Sequence, residues 1–172
     1  MIRGRVPSIT VLMAVYNGER WLAESIQSVL EQTFTNFEFI IVNDGSNDCS
    51  LQIINQFSKK DSRIRVYNKK NSGLADSLNY GIAEARGEWI ARIDADDICS
   101  LERLQKQIEC VRLNTDLVLV GSGLVIIDEN GQQSKIHLYP DRHSRLTRRL
   151  FRASPFFAHS SAFFKLSTVR EL

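Results

Sequence analysis

No Cys-x-x-Cys pair occurs in this chain of 172 residues, which excludes a zinc ribbon and a thioredoxin-type motif. Its three cysteines, Cys49, Cys99 and Cys110, are odd in number and far apart, the pattern of reduced thiols in a cytosolic protein. No apolar run reaches the length of a spanning helix, and Ile9 to Val15 is too short for a signal-peptide core. A charge excess is missing as well. Lys and Arg number 22 against 20 Asp and Glu, a net charge of +2, whereas a dedicated nucleic-acid binder carries a strong basic excess. Gly-x-Ser-x-Gly, the Gly-Lys-Ser/Thr phosphate loop and Gly-x-Gly-x-x-Gly are all absent, which removes support for a hydrolase triad, an NTPase or an NAD enzyme. What is present, 43% hydrophobic and 24% charged residues, is enough to bury the core of one soluble domain.

The apolar run Ile9 to Val15 reads as a strand buried on both faces. Glu19 to Thr33 carries Leu22, Ile26, Val29 and Leu30 at helical spacing. Phe37 to Val42 is a second strand, Leu51, Ile54 and Phe57 suit a short helix, and Ile64 to Tyr67 fits a third strand. Leu74, Leu78, Ile82 and Ala85 mark a helix closed by Gly87. Trp89 to Ile93 is a fourth strand, Leu101, Leu104, Ile108 and Val111 form another stripe, and Leu117 to Val120 is a fifth strand. Strands alternating with helices imply an α/β fold with a mainly parallel sheet. In such sheets a ligand sits beyond the carboxyl ends of the strands. Three of those ends are polar: Tyr16-Asn17-Gly18, Asn43-Asp44-Gly45 and Asp94 to Asp97.

Beyond Val120 the pattern changes. Leu124 to Asp128 and Gln132 to Leu138, around Asn130-Gly131, predict a hairpin. Arg142 to Arg152 reads as a short basic helix and Ser161 to Phe164 as a last strand. The chain stops at Leu172 without a closing element, which implies truncation.

Asp94, Asp96 and Asp97 put three carboxylates within four residues. In extended chain, Asp94 and Asp96 project to one side, and their mutual repulsion calls for a cation. Oxygen ligands suit Mg²⁺ or Mn²⁺, held by one or two carboxylates together with substrate phosphates. The competing reading is a solvated loop in which Asp97 or Ser100 caps the next helix. Asp44 either accepts the imino N–H of a base or a ribose hydroxyl, or makes an Asx-turn. Tyr16, beside Asn17, either stacks on a base or covers the sheet edge.

Taken in series, these segments resemble family 2 glycosyltransferases of the nucleotide-sugar-dependent GT-A type. The resemblance is carried by Thr10-Val-Leu-Met-Ala-Val-Tyr-Asn-Gly18, Val42-Asn-Asp-Gly-Ser46, Asn71-Ser-Gly-Leu-Ala75 with Leu78-Asn79 and Gly81, and Ala85-Arg-Gly-Glu-Trp-Ile90 before Asp94-Ala-Asp-Asp97. Arg103, Gln107 and Gly121 to Gly131 continue it, and His159-Ser-Ser161 extends it weakly. It implies a GT-A, Rossmann-like sheet with a nucleotide-sugar-binding half over residues 8–121 and an incomplete acceptor half over 122–172. It implies that Ala14, Val15 and Tyr16, with Asn17, wrap the nucleoside and that Asp44 binds the base, commonly uracil. Asn71 and Gly73 would flank the nucleotide. Asp94 would lie near ribose and metal, followed by Ala95, and Asp96 would ligate Mn²⁺ or Mg²⁺. Asn43 stands where many members have a second aspartate.

The activity so implied is inverting transfer of a sugar from a nucleotide-sugar, a UDP-sugar in the first instance, to a glycan or lipid-linked acceptor of a cell-surface polysaccharide. The family's general base is an acid in the acceptor half, but the only acid after Ser160 is Glu171, so no base is assigned. Two other readings stay open: a non-catalytic nucleotide-binding or scaffold module, and a nucleotidyltransferase. The nucleotidyltransferase needs a basic Gly-rich loop for which Asn17 to Arg20 is a poor candidate. Arg142, Arg145, Arg148, Arg149 and Arg152 form either a patch for anionic lipid, which would put the protein at the inner face of the membrane, or a solvated helix face. His159 either touches donor phosphate or sugar or is structural. Phe156, next to Pro155, belongs either to the core or to an acceptor groove.

Overall fold

Four of the strands arise where β-branched and aromatic residues run together, and in the computed structural model those runs lie at the centre of one sheet. The structure describes residues 6–140, 145, 147–148 and 157–171. In chain order the elements are β1 (Ile9–Val15), α1 (Leu22–Leu30), β2 (Phe37–Asp44), α2 (Ser50–Ser58), β3 (Ile64–Lys69), α3 (Leu74–Glu84), β4 (Trp89–Arg92), α4 (Arg103–Leu113) and β5 (Leu119–Val120). A hairpin of β6 (Leu124–Ile127) and β7 (Gln133–His137) follows. After it come a 3-10 turn at His159–Ser161, β8 (Phe163–Lys165) and α5 (Leu166–Arg170).

The six-stranded sheet runs β3-β2-β1-β4-β8-β5. β3, β2, β1 and β4 are mutually parallel, with Val15 opposite Asn43 and Leu12 opposite Arg92. Strand order reverses between β1 and β4, and at such a switch point the flanking connections part to leave a crevice at the carboxyl ends. β8 enters antiparallel between β4 and β5. The expected fifth strand thus shortens to Leu119–Val120; it runs in the same sense as β4, as the α4 crossover dictates, but pairs with the antiparallel β8 inserted between them.

The two faces of the sheet are covered unequally. Ile9, Val11, Met13, Phe39, Ile41, Ala91 and Ile93 meet Leu22 and Ile26 of α1, Ile54 of α2 and Leu104, Ile108 and Val111 of α4. On the other face Leu12, Ile40, Val42 and Ile90 meet Leu78 and Ile82 of α3, with Ala85 and Leu166. Each such Val, Leu, Ile, Phe or Met side chain contributes about 1.5–3 kcal/mol on burial. Trp89 stacks flat on Phe163 at 5.1 Å, joining β4 to β8.

At the amino end of the sheet Glu38, itself buried, accepts from Thr10 Oγ1 at 2.7 Å, Arg86 N at 2.6 Å and Arg65 Nη1 at 2.7 Å. Gly87 does not close α3, which ends at Glu84. It lies against β1, where a Cβ would stand 2.4 Å from Thr10 N. Among the described residues no helix is long and apolar enough to cross a membrane, and all three cysteines are free.

Candidate nucleotide-sugar site

The carboxyl ends of β1, β2 and β3 are stapled by short polar side chains. Asn17, in the left-handed region at φ 53°, donates its N–H to Ser46 Oγ at 3.0 Å and accepts Asn47 N–H on Oδ1 at 2.8 Å. Asp48 accepts the N–H groups of Glu19 and Ser50, and Ser50 Oγ accepts Gly18 N–H at 2.9 Å. These bonds fix the strand end Ala14–Asn17 against the loop after β2 and leave Tyr16 half exposed, at 52%. Gly45 has φ 72°, and a Cβ there would meet Asn71 N at 2.7 Å. Only glycine lets the 71–73 segment close over this loop.

Asp44 lies beneath that segment and is only 3% exposed. Lys69 Nζ donates to its Oδ1 at 2.6 Å, Ser72 N–H to the same oxygen at 3.0 Å and Gly73 N–H to Oδ2 at 2.9 Å. Burial alone would raise its pKa, but Lys69, Ser72, Ser77 and Gly73 outweigh it and hold the carboxyl below its usual range. A carboxylate offers about four acceptor positions, and these partners take up most of them. Asp44 is therefore the internal anchor of the loop bearing Asn71 and Gly73, and makes no Asx-turn of its own. Lys69 was not legible as part of the site. Its signal was a cation ending an otherwise half-buried edge strand.

Across the switch point, β4 leads into Asp94–Asp97. The expectation of extended chain here is corrected: Asp97 N–H donates to Asp94 O at 3.2 Å, so the chain turns and Asp94 and Asp96 do not share a strand face. Ser25 Oγ, 2.8 Å from Ala95 O and 2.6 Å from Asp97 O, ties the turn to α1. Neither Asp97 nor Ser100 caps α4, whose N-cap position is Glu102 with no side-chain cap.

Asp94 is met bidentately by Arg92, at 2.5 and 3.2 Å. Burial raises the Asp94 pKa; Arg92 opposes this, and the charges of Asp97 and Asp96 add to the rise. Arg92 is the second residue that sequence reasoning missed, although a lone cation inside Trp89–Ile93 is a visible oddity. It is 3% exposed, and its Nε has no partner among the described residues. Beside it His159 is pushed down by burial and by Arg92, against the pull of Asp94. Both line a largely apolar cavity of about 390 Å³ with Leu12, Leu78 and Phe164.

Asp96 is exposed and makes no hydrogen bond among the described residues. It faces a cleft of about 370 Å³ walled by Trp21, Glu24, Asp128 and Glu129. The hairpin reaches this cleft through a 3.0 Å ion pair between Arg20 and Glu129. The predicted hairpin is present, with a bulge between Ile126 and Ile127.

The donor chemistry of the turn fits a hard divalent cation, because three carboxylates share one short loop with a single ion-paired cation. No three described His, Cys, Asp or Glu side chains converge as a full cage. Asp96 and Asp94 are the carboxylates of this turn that could hold a Mg²⁺ or Mn²⁺ ion, whose remaining ligands would be phosphate and water. Of the basic run, Arg145 and Arg148 are helical and exposed. Arg142, Arg149 and Arg152 lie outside the described residues, as does Phe156.

A mainly parallel six-stranded sheet with helices on both faces and polar loops at its carboxyl ends is an α/β architecture of the GT-A kind. The family model described as "Glycosyl transferase family 2" matches residues 10–172, and the chain belongs to that family. It is 36% identical over 170 residues to the uncharacterized glycosyltransferase MJ1057 of Methanocaldococcus jannaschii, covering 96% of this chain and 58% of that protein. It is 35% identical over 167 residues to the O-antigen biosynthesis glycosyltransferase WbnJ of Escherichia coli, covering 94% and 63%. The chain thus spans roughly three-fifths of the length of these relatives. Among solved structures it resembles the mannosyltransferase PcManGT of Pyrobaculum calidifontis in complex with GDP-Man and Mn²⁺. The TM-score is 0.72, with 18% identity over 98% of this chain and 47% of that one. It also resembles S. aureus TarS 1–349 in complex with UDP-GlcNAc, with a TM-score of 0.70 and 21% identity over 95% and 47%. At those identities the two structures speak for the fold alone.

Proposed function

We propose that residues 8–121 form the donor half of a glycosyltransferase, with residues 122–172 opening its acceptor half. Sugar would pass from a nucleoside-diphosphate sugar to a glycan or lipid-linked acceptor. One observation carries the reading: the acidic turn Asp94–Asp97 after β4 and the Asp44-anchored loop after β2 and β3 lie at the same, carboxyl, end of the parallel strands, on either side of β1. Structures with this fold hold GDP-Man with Mn²⁺ and UDP-GlcNAc, and WbnJ is named for O-antigen biosynthesis, which supports both donor class and acceptor class.

In this reading Ala14, Val15, Tyr16 and Asn17 form one wall for the nucleoside. Asn71 and Gly73 form the other, held in place by Asp44. Asp96 and Asp94 hold the divalent ion, next to Ala95. When bound, that ion supplies positive charge against the departing diphosphate. Arg92 keeps Asp94 turned toward the crevice and lowers the repulsion among the three carboxylates. Attack by an acceptor hydroxyl on the face opposite the leaving group inverts the anomeric centre. No described residue is placed as the base for that step.

Calorimetric titration of UDP, GDP, CDP and dTDP, with Mn²⁺ and with chelator, tests the donor site, and Asp96→Asn serves as the control. Metal-dependent binding of one nucleotide that disappears in the variant is the expected result. A folded sample that binds none of the four would sink the proposal and favour a scaffold module. Net retention by an active, longer form of the enzyme would sink the inverting step alone.

A further inference from the structure

Arg103 sits at the start of α4 and bonds both beyond its helix and within it. Its Nη2 donates to the carbonyl of Arg92 at 2.6 Å and to the carbonyl of Ser160 at 3.1 Å. Its Nε donates to Gln107 Oε1 at 3.2 Å. Gln107, one turn later and buried, passes the connection on, since its Nε2 donates to Ser161 O at 3.1 Å. The carbonyls so joined are far apart in sequence. Arg92 ends β4 two residues before Asp94, while Ser160 and Ser161 belong to the 3-10 turn that carries His159.

Both carbonyls accept from the one Nη2, whose two N–H bonds are held in the guanidinium plane because Nε and Nη1 are engaged by Gln107 Oε1 and Cys99 Sγ. Lysine, a single flexible point charge, would not span them in the same way. Arg92 is the junction of the assembly. Its N–H donates to Ala162 O at 2.9 Å, its carbonyl accepts Arg103, and its own guanidinium grips Asp94.

We propose that Arg103, seconded by Gln107, is a positioning residue of the donor site. It locks the acidic turn and the His159 turn into one rigid surface, and acts on Asp94 only through the backbone and side chain of Arg92. The inference deepens the nucleotide-sugar reading and rests on it. The wall for the nucleoside does not depend on Arg103. The Asn17–Ser46–Asn47 staples and the Asp44 anchor hold that wall by separate bonds. Loss of Arg103 therefore loosens the phosphate-and-metal end of the crevice and spares the base end.

The test uses the full chain and whichever of UDP, GDP, CDP and dTDP binds the wild type. Affinity is measured calorimetrically with Mn²⁺ and with chelator for wild type, Arg103→Met, Arg103→Lys, Gln107→Leu and Arg63→Met. Arg63 is the control, because its guanidinium bonds Asp61 and the carbonyl of Leu30 at the far end of the sheet. Arg103→Met should lose roughly 10- to 100-fold of the affinity gained from Mn²⁺, the usual scale for residues that orient metal ligands, with affinity in chelator unchanged. Arg103→Lys should recover part of the gain, Gln107→Leu should fall between, and Arg63→Met should keep all of it. A full Mn²⁺ gain in folded Arg103→Met overturns the inference; if that variant does not fold, a full gain in both Gln107→Leu and Arg103→Lys does so. A loss of equal size with and without Mn²⁺, shared by Arg63→Met, overturns it as general loosening. If the wild type binds no nucleotide, the donor reading itself fails and the inference falls with it.

Discussion

Lys69 Nζ lies 2.6 Å from Asp44 Oδ1, with the two side chains only 18% and 4% exposed. The pair closes the edge strand β3 onto β2, and Ser72 and Gly73 N–H groups complete the carboxylate. Asp44 has a folded pKa below its unfolded value of about 4, so its contribution is complete above that value and drains as pH falls through the folded pKa. Lys69 has a folded pKa raised by Asp44, against burial and with help from Asp76. Its contribution is complete below the unfolded value of about 10.5 and is lost as pH rises through the folded one. Melting temperature followed from pH 6 downward should fall less steeply in Asp44→Asn than in wild type below about pH 4. Parallel curves would mean that Asp44 is not held as the structure shows.

The Arg20–Glu129 pair that reaches the hairpin is of another kind. Both side chains are about two-thirds exposed, at 65% and 67%, and Arg20 also lies over the Trp21 ring. Exposed pairs contribute under about 1 kcal/mol and are screened by salt. A double-mutant cycle of Arg20→Ala and Glu129→Ala in urea should give coupling within that bound, vanishing in high salt. Coupling of several kcal/mol would show that the hairpin is an integral wall and not a lightly held one.

Gly87 supports the fold at the end away from the crevice. Its N–H donates to Thr10 Oγ1 at 2.9 Å, and an added Cβ would sit 2.4 Å from Thr10 N and 2.5 Å from Ile9 C. Both are backbone atoms of the central strand and cannot swing aside. Gly87→Ala should cost more than about 3 kcal/mol, or prevent folding, as overpacking in a tight core does. Gly131→Ala provides the contrast. It has open space but φ 77°, and the expected cost is about 1–2 kcal/mol. Urea midpoints in the reverse order would overturn this account of Gly87.

The strands were readable where burial on both faces leaves an unbroken apolar run, as in Ile9–Val15 and Phe37–Val42, and so was the hairpin around Gly131. Helix ends were not. α1 is Leu22–Leu30, shorter than the segment Glu19 to Thr33, because the stapled loop Asn17–Arg20 takes up what would be its first turn. The insertion of β8 between β4 and β5 depends on the Trp89–Phe163 stack and on backbone partners that periodicity does not encode. At the site, residue types were legible and their partners were not. Asp94 and Asp96 stood out as carboxylates after a strand, but the turn between them, closed by Asp97 N–H on Asp94 O, is held by Ser25, which bonds Ala95 O from 70 residues away in sequence. Lys69, Arg92 and Arg103 are cations whose roles appear only once the strands are side by side.

That turn allows the two carboxylates to be separated experimentally. Asp94 is the counter-ion of Arg92, whose side chain is 4% exposed, so Asp94→Ala leaves a buried guanidinium facing Asp94's former place and an unpartnered Nε. Removing one member of a fully buried pair costs about 3 kcal/mol or more; with the Asp94 side chain 37% exposed, solvent screening lowers the expected cost to about 1–2 kcal/mol. Asp96 is exposed and has no hydrogen-bond partner among the described residues, so Asp96→Ala should leave stability within about 0.5 kcal/mol of wild type. Under the proposed function both substitutions abolish metal-dependent nucleotide binding, and only Asp94→Ala also lowers the melting temperature. Equal stability of the two variants would mean that Arg92 finds another partner, and would remove it from the chain of contacts linking Arg103 to the acidic turn.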